Sequence, residues 1–310
     1  MKLSVLIPVY NEQASVEAIV RRVAAMDLSP VTARGVPVEL EIIAVDDCST
    51  DATTGILARL HGGPAEAPGE GPRRDQSQAT AVQSARRRAV AAAGAREGAT
   101  PVGAPDDEAA SPALPEGCLP GGAPESPASE IVPGLRVIQH GYNQGKGAAI
   151  RTALAAATGD YVLIQDADFE YDPADIPRLL LPVAEGRAQV VYGARPLDGS
   201  GGRWLLDLGN RALTWLTNLL YGTRLHDMET CYKLLPTALL RSFALECNRF
   251  DMEPEITAKV VRSGYRIYEV PISYHPRPPH AGGKKLSARK DGLPALKALL
   301  RYRFWKPPSQ

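Results

Sequence analysis

The chain has 310 residues, 44% of them hydrophobic and 23% charged, so it is long and apolar enough to bury a substantial core. Lys plus Arg and Asp plus Glu number 35 each, so the net charge is zero and says nothing about partners. We expect no nucleic-acid partner. The four cysteines lack the spacing of a metal or redox site, and residues 1–8 do not have the pattern of a signal peptide. No apolar run reaches the roughly 18 residues that span a bilayer. We therefore expect a cytoplasmic protein that is soluble or peripheral to a membrane.

The N-terminal part of the sequence alternates strand and helix patterns. Residues 3–9 are a β-branched apolar run that predicts a buried strand, and Asn11 is expected to cap a helix from residue 12 to about residue 26. A second strand is predicted over residues 38–45, and the Ser-Thr pair at 49–50 is expected to cap a helix that ends near residue 60. This repeated order indicates an α/β protein with a doubly wound sheet.

Residues 61–134 interrupt this alternation. The segment is rich in Ala, Pro, Gly, Glu and Arg and contains no aromatic residue. Such a composition cannot bury enough apolar surface to offset the entropy lost on ordering, so we predict a disordered insertion in a surface loop. The alternative is a separate small domain.

After the insertion, residues 135–139 and 189–194 are predicted strands. Between them, Asn-x-Gly-Lys-Gly at 143–147 precedes an Ala-rich helix that ends near residue 157. Glycines before a helix N-terminus allow backbone N–H groups to approach an anion, although the spacing is not that of a P-loop.

Residues 161–170 contain the clearest candidate site. Four apolar residues predict a strand, and Asp166 and Asp168 follow it one residue apart, so that both can face one cavity at its carboxyl end. Two carboxylates suit Mg²⁺ or Mn²⁺, and phosphate and water oxygens then complete the coordination of the cation. An Asp-rich turn alone would also explain the pair, since Asp favours turns.

The C-terminal half contains three further predicted helices and a strand. Residues 204–221 are amphipathic and predict a core helix or the wall of an acceptor groove, with a lid as the alternative. A helix is predicted to end near Arg262, a strand over 265–273, and a basic helix over about 289–304. Residues 262–306 contain nine more Lys and Arg than Asp and Glu, which predicts a surface for phosphate or anionic lipid.

Several short motifs resemble those of one known family when they are taken in chain order. They are IPVYNE at 7–12, VDDCSTD at 45–51, NQGKG at 143–147, DAD at 166–168, DMETCYK at 227–233, FDME at 250–253 and VPI at 270–272. Together they resemble family 2 glycosyltransferases of GT-A fold, and within them the dolichyl-phosphate or undecaprenyl-phosphate mannose and glucose synthases. The resemblance covers residues 3–60 and 135–305. The departures from the family are the insertion and the expected absence of the membrane-spanning tail that many of those relatives have.

The resemblance implies one Rossmann-like catalytic domain formed by residues 1–60 and 135–305, followed by a tail at 306–310. Its mixed, mostly parallel sheet of about seven strands would lie between helices. It also implies a set of residues that bind the nucleotide-sugar donor: Pro8, Tyr10, Glu12, Asp46, Asp47, Lys146 and Asp166. Turn formation and capping are the alternative roles for the residues of the first two loops.

The resemblance further implies how transfer proceeds. Asp166 and Asp168 match metal ligands, with Glu170 at the place of a third, and Asp168 counts as catalytic because the metal neutralises the leaving diphosphate. A polyprenyl phosphate acceptor is already anionic near pH 7 and needs cations rather than a base. The expected cations are Arg195, Arg203, Lys284 and Lys285.

Other acceptors and functions remain open at this point. A sugar hydroxyl acceptor would need a base, for which Asp227 is the candidate, although this residue can equally be structural. Surface solubility is the alternative explanation for Lys285 and the lysine and arginine that follow it. The rival functions are a transferase acting on a soluble sugar or polysaccharide, and a nucleotide-sugar-binding module without catalysis. The sequence does not indicate an oligomeric state.

Overall fold

The computed structural model describes residues 1–68, 131–196, 204–277 and 288–307, with backbone only for 204–206 and 288–291. Its centre is a seven-stranded sheet in the order β3-β2-β1-β4-β6-β5-β7. The strands are β1 (Lys2–Val9), β2 (Glu39–Asp46), β3 (Leu135–Gln139), β4 (Tyr161–Ile164), β5 (Val190–Ala194), β6 (Lys233–Pro236) and β7 (Ile267–Pro271).

The sheet is mixed, because β6 runs antiparallel to both of its neighbours while the other strand pairs are parallel. This confirms the predicted mixed, mostly parallel sheet. The strands β3, β2, β1 and β4 are adjacent and parallel, so their carboxyl ends meet at one edge. Open α/β sheets bind ligands at such an edge.

Helices flank the sheet. They are α1 (Val16–Ala24), α2 (Ser29–Thr32), α3 (Thr53–His61), α4 (Lys146–Ala156), α5 (Ile176–Ala184), α6 (Trp204–Tyr221), α7 (Thr237–Ser242), α8 (Met252–Arg262) and α9 (Ala288–Tyr302). A 3₁₀ turn over Pro173–Asp175 precedes α5, and the Asp172 carboxylate caps it by accepting the Ala174 N–H.

The core forms because the central strands are apolar on both faces, as expected of parallel strands covered by helices. In β1, the run from Leu3 to Leu6 is fully buried, including the hydroxyl-bearing Ser4. The side chain of Ser4 receives the Gly159 N–H, and Glu41 accepts hydrogen bonds from the backbone N–H and hydroxyl of Thr158. These buried polar groups are therefore satisfied, which fixes the approach of β4 to the sheet.

Two elements differ from the sequence predictions. The short β6 and α7 were not predicted, because four strand residues and six helix residues carry too little periodicity to recognise. The expected caps are also different: Asn11 has a φ of 52° and lies in a loop, and α1 begins only at Val16 after Ser15. The first helix is therefore shorter than predicted.

The ends of the predicted insertion belong to the folded core. Glu66 exchanges backbone hydrogen bonds with Val137 and Gln139 of β3, and the buried Val132 donates its N–H to Leu60. The boundaries of 61–134 are therefore corrected, since 61–68 and 131–134 pack beside the sheet. The remainder of the segment lies outside the described residues, and its disorder stays a prediction.

The amphipathic pattern of α6 is confirmed on its inner face, where Thr214 and Thr217 are buried and Leu213, Leu216 and Leu220 are partly buried. This inner face contacts Leu299 of α9, and the Tyr221 hydroxyl donates to the Leu299 carbonyl. Among the described helices, none combines the length and apolar character needed to cross a membrane.

Candidate functional site

A cavity of about 570 Å³ opens at the sheet edge where β1, β2 and β4 end. Its size is in the range of small-molecule sites in proteins. The structure brings most of the predicted donor and metal residues to its walls, namely Pro8, Tyr10, Glu12, Asp47, Lys146, Asp166, Asp168 and Glu170. These residues come from four separate segments of the chain, so the fold assembles the site from positions far apart in sequence.

The first two loops are tied to each other by hydrogen bonds. Ser49 accepts the Asn11 N–H through its hydroxyl at 2.9 Å, and Thr53 accepts the Glu12 N–H at the same distance. Asn11 in turn accepts the Thr50 N–H at 2.8 Å. The residues predicted as caps therefore fix the loop that presents Tyr10 and Glu12 to the cavity.

The two adjacent acids after β2 have different surroundings. Asp46 is fully buried, outside the cavity wall, and accepts hydrogen bonds from Ser49 and Thr54 at 2.9 and 2.6 Å. We therefore correct the prediction that it contacts the donor: its carboxylate holds its own loop. Asp47 does line the cavity, and its carboxylate accepts the backbone N–H groups of Gln144 and Gly145 at 2.8 and 2.7 Å.

This contact changes the role of the glycine motif before α4. The expectation was that its N–H groups bind a ligand anion, but the carboxylate of Asp47 already receives two of them. The N–H of Gly147 instead donates to the Asn248 carbonyl at 2.8 Å, and a Cβ at this position would lie 2.3 Å from the Cys247 carbonyl oxygen. Glycine is required here because α4 packs directly against the backbone before α8.

That close packing places the side chain of Lys146 between two acids. Its ammonium nitrogen lies 2.7 Å from an oxygen of Asp166 and 3.4 Å from an oxygen of Glu253. Burial lowers the pKa of Lys146, but the charges of these carboxylates outweigh it and hold the pKa well above its usual range. Lys146 therefore stays protonated and adds a permanent positive charge to the cavity wall.

Asp168 and Glu170 follow Asp166 around the turn after β4. The pKa of Asp168 is raised to about 7 by burial and by the negative charges of Asp166 and Glu170. Arg277 opposes this shift, since its guanidinium lies 3.1 Å from Asp168 and 2.7 Å from Glu12. Crowded carboxylates of this kind favour a bound cation.

Of the three predicted metal ligands, Asp166 and Asp168 suit a divalent cation best. Within the described chain, no three His, Cys, Asp or Glu side chains are arranged to hold a metal ion. The carboxylate of Glu170 accepts hydrogen bonds from the Tyr274 hydroxyl and from the backbone N–H of Arg277. Glu170 as a third ligand therefore stays a prediction, and Asp166 and Asp168 are a two-carboxylate pair of the type that Mg²⁺ uses together with phosphate and water.

Arg195 and Asp227 form a buried ion pair outside the cavity. The Arg195 guanidinium donates to both Asp227 oxygens at 2.6 and 2.8 Å, and Asp227 is fully buried. The ring of Tyr274 lies 5.2 Å from the guanidinium carbon. The structure thus corrects two expectations, because Asp227 has no access to a substrate hydroxyl and Arg195 is engaged by Asp227 rather than presented to an acceptor phosphate.

The other predicted acceptor residues, Arg203, Lys284 and Lys285, lie outside the described residues. Conversely, three cavity residues had no role in the sequence analysis: Arg249, Phe250 and Arg277. Phe250 lies in a recognised motif and faces the Lys146 ammonium at 5.6 Å. Arg277 had no motif of its own, and only its position in the basic C-terminal segment pointed to it.

Comparisons with known proteins agree with this site. A model of the family Glycosyl transferase family 2 matches residues 4–94 and 124–241, which is more than half of the chain. An uncharacterized glycosyltransferase of Mycobacterium tuberculosis is 29% identical over 163 residues, covering 52% of this chain and 71% of that protein. The dodecaprenyl-phosphate galacturonate synthase of Rhizobium johnstonii is 24% identical over 277 residues, covering 89% of this chain and 60% of that protein.

Solved structures show the same fold. The glucosyl-3-phosphoglycerate synthase of Mycobacterium tuberculosis in complex with Mg²⁺ and UDP superposes with a TM-score of 0.54 and 20% identity, covering 99% of this chain and 81% of that one. A complex of that enzyme with Mn²⁺, UDP-glucose and phosphoglyceric acid gives a TM-score of 0.53 at 20% identity, with the same coverage. The chain therefore belongs to glycosyl transferase family 2, and its mixed seven-stranded sheet is that of a GT-A glycosyltransferase.

Proposed function

We propose that the protein transfers a hexose from a nucleotide sugar to polyprenyl phosphate, with inversion at the anomeric carbon and with Mg²⁺ or Mn²⁺. The cavity at the ends of β1, β2 and β4 carries this proposal, because it joins the loop of Tyr10 and Glu12 to Asp166 and Asp168. The first loop would hold the nucleoside and the two aspartates the diphosphate end of the donor.

The chemistry divides between the cation and the protein. A divalent cation held by Asp166 and Asp168 would neutralise charge on the leaving diphosphate. Lys146 and Arg277 contribute fixed positive charge on either side of these carboxylates, where it stabilises a phosphorylated leaving group. Asp47 keeps the 143–145 loop against the cavity and so preserves its shape.

The state of Asp227 favours a phosphate acceptor over a hydroxyl acceptor. A hydroxyl needs a base to remove its proton, and the base candidate is buried and bound on both oxygens by Arg195. A phosphate monoester is already largely ionised near pH 7 and attacks without a base. The likeness to the dodecaprenyl-phosphate galacturonate synthase supports a polyprenyl phosphate in particular.

The outward faces of α6 and α9 also support an acceptor presented at a membrane surface. Each carries large apolar side chains that are more than half exposed, at helical spacing: Leu208, Trp215 and Leu219 on α6, and Leu293, Leu300 and Phe304 on and just after α9. Lys297 and Arg301 are exposed beside the second set. Apolar and basic side chains together suit the interface of an anionic membrane leaflet. We propose that the protein lies peripherally at the cytoplasmic face of a membrane.

A matched pair of acceptors tests the proposal. The purified protein is incubated with Mn²⁺, radiolabelled UDP- and GDP-hexoses, and either polyprenyl phosphate or the corresponding polyprenol in detergent. We expect label in the organic phase with the phosphate and none with the alcohol. Label that enters only a soluble sugar or polysaccharide would contradict the acceptor assignment, and absence of transfer to every acceptor would favour a binding module.

A further inference from the structure

A chain of four charged side chains runs from the cavity wall, where Asp166 and Lys146 are partly buried, into the protein interior. Asp166 contacts Lys146 at 2.7 Å, Lys146 lies 3.4 Å from Glu253, and Glu253 lies 2.7 Å from Lys233. The side chains of Glu253 and Lys233 are 3% and 0% exposed. Two carboxylates and two ammonium groups alternate along this chain, so its formal charges cancel.

The inner end of the chain is firmly anchored. Lys233 of β6 donates to the Met228 carbonyl at 3.0 Å and to the Thr230 carbonyl, and the Tyr192 ring lies 4.8 Å from its ammonium nitrogen. Lys233 is therefore fixed by the backbone of the 227–233 motif. Glu253, at the start of α8, is fixed in turn by Lys233.

Glu253 has an unusual position relative to Lys146. Both of its oxygens are buried, and whereas one lies 2.7 Å from the Lys233 ammonium nitrogen, the other lies 3.4 Å from that of Lys146, long for a hydrogen bond. Its attraction for Lys146 is therefore electrostatic rather than tied to one hydrogen-bond direction. Lys146 is in contact with Asp166, and Glu253 offers a second carboxylate toward which the ammonium group can shift.

We propose that Glu253 is a positioning residue that accepts the charge of Lys146 when a divalent cation binds Asp166. This inference rests on the proposed function, since it assumes that Asp166 and Asp168 hold the cation. Without a cation, Lys146 balances the charge of Asp166. With one, the like charges of the cation and Lys146 repel, and the second carboxylate allows Lys146 to withdraw while staying paired and close to the donor phosphates.

The motifs at 227–233 and 250–253 both contribute residues to this chain of charges. The first supplies Lys233 and its carbonyl ligands, and the second supplies Glu253 and the Phe250 ring beside Lys146. Neither Lys233 nor Glu253 lines the cavity. Their connection to the cavity runs through Lys146.

The test measures binding of Mn²⁺ alone by electron paramagnetic resonance of the free ion. Glu253→Gln would leave the Lys233 ammonium buried and unpaired, so it is combined with Lys233→Met. We expect roughly tenfold weaker Mn²⁺ binding in this double variant and tighter binding in Lys146→Met, which removes the competing cation. With Lys146→Met added to the double variant, the weakening should disappear, because Glu253 acts through Lys146.

A matched control is available on the same helix. Glu255 pairs with Lys259, and both are fully buried, but neither lines the cavity. Glu255→Gln with Lys259→Met should leave Mn²⁺ binding unchanged. A tenfold loss of Mn²⁺ affinity that persists with Lys146→Met, or that also occurs in the control, would overturn the inference. If the wild-type protein does not bind Mn²⁺, with or without nucleoside diphosphate, the proposed metal site is overturned instead.

Discussion

Substitution of Asp227, which forms a buried ion pair with Arg195, distinguishes a structural role of this residue from a catalytic one. Asp227→Asn preserves the shape of the side chain but removes the charge that balances a guanidinium only 6% exposed. Loss of one partner of a buried pair costs about 3–5 kcal/mol, and we expect the lower end because the amide oxygen still accepts one hydrogen bond. The free energy of unfolding, measured by urea denaturation, should fall by about 3 kcal/mol.

Two further variants calibrate this loss. Glu39→Gln breaks the exposed pair with Lys2 and should change the stability little, because water and salt screen this pair. Replacing both buried partners, Arg195→Met with Asp227→Leu, should recover much of the stability, because no unpaired charge remains. Wild-type stability in Asp227→Asn together with complete loss of sugar transfer would refute this reasoning and restore Asp227 as a base.

Two other predictions concern the packing that supports the site. Gly147→Ala places a methyl group 2.3 Å from the Cys247 carbonyl oxygen and should destabilise the protein by about 1–3 kcal/mol in thermal unfolding. Gly55→Ala in α3, where nothing lies within 4 Å of the added methyl group, should stabilise the protein slightly. Equal effects of the two substitutions would contradict the close packing at Gly147. For Glu41, burial raises the pKa, but hydrogen bonds from Ser4 and Thr158 outweigh it and lower the pKa below its usual range. The carboxylate therefore stabilises the protein above the unfolded-state pKa of about 4.3, and this contribution is lost as the pH falls below that value. Glu41→Gln should thus flatten the acid limb of the stability–pH curve. An unchanged acid limb would show that the carboxylate does not contribute.

The sequence predicted the part of the fold that depends on local pattern. The long apolar runs of β1, β2 and β4 are readable because each strand is covered on both faces. Asp166 and Asp168 could be placed at a strand end for the same reason. The short β6 between β4 and β5 could not be predicted, because its place depends on pairing with two strands distant in sequence.

The roles of individual acids and bases depended on contacts that no local pattern contains. Asp46 and Asp47 are adjacent in sequence, yet one holds its own loop and the other holds the loop before α4. Arg277 reaches Glu12 across 265 positions of sequence. Such pairings follow from the tertiary fold, so sequence motifs could nominate the charged residues but not assign their partners.

The measurement that tests the central claim most directly compares the wild-type protein with Asp168→Asn. Both are supplied with a radiolabelled nucleotide sugar and polyprenyl phosphate, with Mn²⁺ or with a chelator, and both are checked for folding by circular dichroism. We predict transfer by the wild-type protein only with Mn²⁺, and at least a hundredfold slower transfer by the folded variant, about 2.7 kcal/mol of transition-state stabilisation. Wild-type rates in the variant, or transfer that the chelator does not affect, would contradict a metal-dependent glycosyltransferase centred on Asp166 and Asp168.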